Sequence, residues 1–225
     1  MKGTLVNAGT VLAGSLIGIG AGRFLSQGIR TILMQALGLA VMVIGLKMAL
    51  SGENAIAAVG CLLLGGITGE LLRIEDGIEH LGLRLKNRFH SDSATFVEGF
   101  VSATILYLTG AMTIVGSIQD GTVGDATTLY LKALLDGFAS VVLASSLGVG
   151  VAFSALSVLI VQGGLTLLAG QLAFLKEPAV LASITAVGGM IILGIGINLL
   201  ELKRLKVGNL VPALIYAIIY PLLWG

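Results

Sequence analysis

The run GFASVVLASSLGVGVAFSALSVLIVQGGLTLLAGQLAF, residues 137–174, contains no charged side chain. As one helix it would be roughly twice as long as the hydrocarbon core of a bilayer, which about 20 residues cross. Gly148 and Gly150 are the natural place to fold it back on itself as a tight hairpin. Each arm then becomes a membrane segment, either a full span or half of a re-entrant pair. Both ends return to one face in either case.

Composition outside that run agrees. Of 225 residues, 56% are hydrophobic and 11% charged, and the mean hydropathy is +1.03. A soluble domain of this size carries about 25% charged residues. The 33 glycines let helices approach closely in lipid. The chain therefore reads as one all-α transmembrane domain, residues 1–225, with the bilayer as its main partner. Apolar spans fall near 4–22, 31–50, 55–72, 95–116, 128–147, 150–173, 180–199 and 208–224, which is about eight. The first reads as a retained helix, because a signal peptide would have Lys2 alone as its basic region. A net charge of +1 offers no basic stripe for nucleic acid. Cys61 stands alone, so no intrachain disulfide forms.

Between spans three and four, residues 73–94 are the one sizeable soluble piece. Ile74, Ile78, Leu81, Leu85 and Phe89 recur at helical spacing, with Arg84, Lys86 and Arg88 on other faces. That pattern predicts an amphipathic helix on the membrane surface. His80 and His90 both fall here and read as interfacial polar residues. Alternate loops give one side Arg23, Arg30, Arg73, Arg84, Lys86, Arg88, Lys203, Arg204 and Lys206. The other side has Lys2, Lys47, Lys132 and Lys176. The positive-inside rule then places both termini outside the cytoplasm. Tyr220 and Trp224 mark the outer interface of the last span.

Sliding the sequence against itself by 150 residues pairs Val11 with Val161, Gly14 with Gly164 and Gly20 with Gly170. It also pairs Phe24 with Phe174, Leu25 with Leu175, Ala36 with Ala186, Gly38 with Gly188 and Leu50 with Leu200. Loop charge adds a second signal. In the first three spans the first loop is basic (Arg23, Arg30). In the last three the basic loop is the second (Lys203, Arg204, Lys206). Residues 3–72 and 150–225 thus read as inverted-topology repeats flanking central spans at 95–148. The alternative is chance matching between two glycine-rich apolar regions.

Charge inside a span is costly and points to function. Asp136 lies well inside the fifth span, and Lys132 one turn earlier shares its face. Residues 116–125 read as a tight acidic glycine turn carrying Asp120 and Asp125. The functional reading is a cation or proton site, or an electrostatic funnel. The structural one is a neutralised Lys–Asp pair with turn-forming aspartates. Glu70 with Arg73 reads as an end-of-helix ion pair. Asn7, Gln35, Gln162, Gln171 and Asn198 either line a polar pathway or bond helices together. Gly14, Gly18 and Gly22 form a seam for close helix crossing. Gly18–Gly22 resembles part of a dinucleotide loop but follows no strand. No metal-ligand spacing, paired Cys–His or phosphate loop is present, so neither an enzyme nor a metal or other cofactor is expected.

Three strings carry a family resemblance. They are Gly3-Thr4-Leu-Val-Asn7 with Gly14, Gly116-Ser117…Asp120-Gly121…Gly124-Asp125, and Lys132-Ala-Leu-Leu-Asp136-Gly137-Phe138 continuing to Ala144-Ser-Ser-Leu-Gly148-Val-Gly150. Their order resembles the YqgA-like family of bacterial inner-membrane proteins, a domain of unknown function, over essentially the whole chain. The resemblance implies a bacterial cytoplasmic membrane and no established activity. The leading expectation is a small secondary transporter or channel for a small solute or ion, with Lys132 and Asp136 as its charged centre. The alternatives are a non-transporting scaffold or accessory subunit that binds a partner, or another copy, through glycine-rich faces, and a lipid-handling protein.

Overall fold

The computed structural model describes residues 1–22, 24, 26–52, 54–88, 95–108 and 111–224. Ten α-helices lie among them: α1 (Lys2–Gly22), α2 (Gln27–Ala49), α3 (Ala55–Leu72), α4 (Ile74–Arg88), α5 (Phe96–Leu108), α6 (Ala111–Thr122), α7 (Thr127–Leu147), α8 (Gly150–Leu167), α9 (Pro178–Leu199) and α10 (Ala213–Trp224). Among the described residues, six helical segments are long and apolar enough to cross a membrane, or seven if the bent pair α5–α6 is one span. The chain is a multi-pass membrane protein. Arg23, Leu25, Phe89 and His90 lie outside the described residues, as do the side chains of Arg30, Leu81 and Leu85.

Packing divides the chain into two compact units. The first comprises Met1–Met34, Glu79–Leu108 and Met112–Ala173. In it α1 and α7 run parallel along the glycine seam. A Cβ on Gly14 or Gly18 would overlap the carbonyl oxygens of Gly137 and Val141, and one on Gly22 would lie 2.6 Å from that of Ser145. Small residues let two backbones meet, which in lipid replaces the missing hydrophobic drive. After Leu147 the chain turns through Gly148 at φ 76°, a left-handed conformation that favours glycine. The Gly148 N–H closes α7 on the Ala144 carbonyl at 3.0 Å, and α8 returns antiparallel. The hairpin read at Gly148–Gly150 is the one observed.

The expected fourth span, 95–116, is corrected. It is two helices, α5 and α6, bent by 63° and reaching Thr122. α5 starts against the hairpin, with Gly150 packed on the Phe96 carbonyl, and runs parallel to α8, where Thr104 Oγ1 donates to Ser157 at 3.1 Å. α6 ends against Thr166 and Ala169 at the far end of α8. Together they traverse the unit from one end to the other. The acidic turn at 116–125 is likewise corrected, since residues 116–122 are helical. Gly116 packs on Leu129, and Gly121 on the Thr166 carbonyl, so these glycines serve close approach, and the turn shrinks to 123–126.

The second unit comprises Gln35–Ile78, Thr109–Ala111 and Phe174–Gly225. α2 crosses α9 antiparallel, with Gly38 beside Gly196 and Gly45 beside Gly189. α3 crosses α10 antiparallel, with Gly65 against Ala213 and Gly69 against Asn209. Arg73 (φ 53°) turns the chain from α3 into α4. Of the expected surface segment 73–94, residues Ile74–Arg88 form the helix α4, with His80 exposed, and residues 89–94 lie outside the described residues.

Candidate functional site

A set of buried polar side chains in the first unit gathers around Asp136. Asn7, on α1, donates from Nδ2 to Asp136 Oδ2 at 3.0 Å and to Gln162 Oε1 on α8 at 2.9 Å. Gln162 Nε2 donates to Thr4 Oγ1 at 3.2 Å, and Thr4 shares a hydrogen bond with Thr166 at 3.1 Å. Asp136 is in direct contact with the Lys132 ammonium one turn earlier. Exposures are 0% for Thr4, Asn7 and Gln162, 4% for Lys132 and 9% for Asp136. Charges this far from water persist only when paired.

Tyr107, at the last turn of α5, closes the other side. Its hydroxyl lies 2.8 Å from Ser140 Oγ, and its ring is 5.9 Å from the Lys132 ammonium. Ser140 gives its own proton to the Asp136 carbonyl oxygen at 2.7 Å, so Tyr107 is the donor in that pair. The Tyr107 carbonyl accepts from Thr113 Oγ1 at 2.9 Å. A hydroxyl thereby occupies an acceptor that a continuous α-helix would give to the N–H of residue 111. Three buried side-chain atoms have no partner among the described residues: Asn7 Oδ1 in this cluster, Ser117 Oγ on α6 and Ser146 Oγ on α7.

Of the residues expected from sequence, Asn7, Lys132, Asp136 and Gln162 are brought together. Asp120 is buried elsewhere on α6, where Oδ2 accepts from the Gly3 N–H at 3.0 Å and lies 2.9 Å from the Met1 amino nitrogen. Asp125 is exposed and accepts from the Thr127 N–H at 2.9 Å, which starts α7 and lowers its carboxyl pKa. Asn198 belongs to the second unit and spends both amide atoms on Leu205, closing the loop after α9. Gln35 and Gln171 are exposed. Sequence reasoning missed Tyr107, Thr113 and the Thr4–Thr166 pair. A tyrosine inside an apolar span was the available signal for the first.

A separate polar clamp ties the α3–α4 bend in the second unit. Glu70 takes Lys206 at 3.1 Å and Asn209 Nδ2 at 2.6 Å, which corrects the expected Glu70–Arg73 pair. Arg73 is spent on the left-handed turn. Asn209 Oδ1 accepts the Glu75 N–H at 2.6 Å, and Glu75 accepts the Gly208 N–H at 2.6 Å. Glu70 raises the Lys206 pKa. A raised lysine pKa means the lysine's part in the pair is intact at neutral pH and is lost as alkaline pH passes the folded value. Lys206→Ala is expected to leave the melting temperature in detergent nearly unchanged, because the pair is exposed. Asn209→Ala strands the buried Glu75 N–H and is expected to cost about 1–3 kcal/mol by the same melt.

Residues 2–222 match the family described as Protein of unknown function (DUF554). The relative "Uncharacterized protein YqgA" of Escherichia coli (strain K12) is 30% identical over 227 residues, covering 99% of this chain and 97% of that protein. "Uncharacterized membrane protein YdfK" of Bacillus subtilis (strain 168) is 32% identical over 219 residues, covering 96% and 93%. No solved structure matches the chain.

Proposed function

The chain belongs to the DUF554 family of proteins of unknown function, so we propose a function from its own geometry: a small secondary transporter or channel for a small solute or ion. The observation that carries this reading is the buried network of Asn7, Gln162, Lys132, Asp136 and Tyr107, drawn from four helices, one of them the first arm of the bent pair α5–α6. Broken helices beside intramembrane charge are how transporters build binding sites.

In this reading the chain has eight spans, α2 included, and lies in a bacterial cytoplasmic membrane with both termini outside the cytoplasm. Residues 3–72 and 150–225 are its inverted repeats. Three antiparallel crossings support the repeat: α1 on α8, α2 on α9 and α3 on α10 are each a helix against its own counterpart. At the α2–α9 crossing an offset of 151 carries Gly38 onto Gly189 and Gly45 onto Gly196. Equivalent units that exchange conformations supply inward- and outward-facing states of similar energy.

Ser140→Cys in a Cys61→Ala background tests the reading without knowledge of the solute. Alternating access predicts modification by a membrane-impermeant thiol reagent from each side, in intact cells and in inverted vesicles. Protection from both sides rejects transport through this centre. The scaffold reading is favoured by a different feature, a groove of about 470 Å³ between α1 and α8 lined by Leu5, Gly9, Leu12, Phe153, Leu156 and other apolar groups. It predicts that bulky substitution at Gly9 disrupts an assembly and leaves Ser140→Cys unlabelled.

A further inference from the structure

We propose that the solute held at the Lys132–Asp136 centre is a small zwitterion, carrying one ammonium and one carboxylate, of which a short amino acid is the simplest case. This rests on the transport reading and goes on to the chemistry of the cargo. The centre contains one positive and one negative side chain in direct contact, both nearly buried. The neighbouring side chains contributed by α1, α5 and α8 (Asn7, Thr4, Tyr107, Gln162 and Thr166) are uncharged in their ordinary states. On α6, Asp120 is already engaged by the start of α1.

That charge balance discriminates among solutes. A lone anion that takes Lys132 leaves Asp136 without its counterion, and a lone cation that takes Asp136 does the same to Lys132. Either leaves an uncompensated charge away from water. A zwitterion can part the pair with no charge left over, since its carboxylate replaces Asp136 at Lys132 and its ammonium replaces Lys132 at Asp136.

The partners on each side fit the exchange. Beside Asp136 the amide oxygen Asn7 Oδ1 is fully buried and without a partner, an acceptor suited to an ammonium N–H. The Tyr107 ring that now faces the Lys132 ammonium offers its π face equally to a solute ammonium. Neutral solutes gain from none of these charges.

Counterflow in vesicles of phosphatidylethanolamine and phosphatidylglycerol tests the assignment, with labelled glycine, alanine and β-alanine as probes. Acetate and methylammonium serve as single-charge controls. At least one zwitterion is expected to accumulate in a protein-dependent way, at a rate unchanged by a potassium–valinomycin potential. K132Q/D136N, which removes both charges and strands neither, is expected to lose that accumulation while eluting as the same monodisperse species. Movement of acetate or methylammonium in place of the zwitterions overturns the assignment. So does absence of zwitterion movement in protein whose Ser140→Cys variant is labelled from both sides, and transport then stands with a different cargo. Protection of Ser140→Cys from both sides removes the transport reading and this one together.

Discussion

Replacing Asp136 by asparagine is expected to abolish solute flux and to lower the melting temperature, while the protein still purifies folded. Asparagine keeps the shape and an oxygen for the Asn7 amide, which donates at 3.0 Å in the native protein. It removes the charge that neutralises Lys132, a residue only 4% exposed. Breaking a buried ion pair from one side costs about 3–5 kcal/mol, against a total stability of about 5–15 kcal/mol for a domain. Asp136→Ala, which loses the Asn7 bond as well, is expected to melt lower still. The double variant K132M/D136L separates stability from function. Replacing both charges by apolar groups of similar size leaves no uncompensated charge, so with only the Asn7 bond lost it is expected to melt above Asp136→Ala and carry no flux. Wild-type flux in D136N removes Asp136 from the mechanism.

The glycine seam carries the second large effect. In a free helix, glycine to alanine is favourable by about 1 kcal/mol. At Gly18 the added Cβ would overlap the Val141 carbonyl oxygen, and at Gly14 that of Gly137. Backbone atoms cannot swing aside as a side chain tip can. The α1–α7 crossing must widen, and the Thr10 Oγ1 to Ala133 carbonyl bond at 2.9 Å stretches with it. Overpacking costs about 1–3 kcal/mol per site, so overpacking wins over propensity. G14A/G18A is expected to lose several kcal/mol in a detergent melt. Gly20→Ala, whose Cβ meets nothing within 4 Å, is expected to be neutral or stabilising. Equal melts for the two variants would show that the seam does not hold α1 to α7.

Several features were legible because they rest on local chemistry. The hairpin at Gly148 follows from the length of an uncharged run, and the Lys132–Asp136 pair from four-residue spacing. The seam at Gly14, Gly18 and Gly22 follows from the same period. Expectations failed where the cause lay outside the local sequence. Gly116 and Gly121 look like turn formers in isolation, and only Leu129 and Thr166, residues of other helices, explain them as contact points. Glu70 took its partner from position 206, far beyond the neighbour at 73.

Sequence by itself determined that this chain lives in a bilayer, where its long apolar helices lie, and that Lys132 and Asp136 put charge inside a span, since hydropathy and helical period are local properties. Tertiary structure decided the break between α5 and α6 and the company around Asp136. Asn7, Gln162 and Tyr107 stand far from it along the chain, and each could have bonded any neighbouring helix. In lipid a polar side chain must find a partner within the protein, but its own sequence does not say which. That choice is made when α1, α5, α7 and α8 pack, because the close approach of backbones at glycine fixes which polar groups face one another.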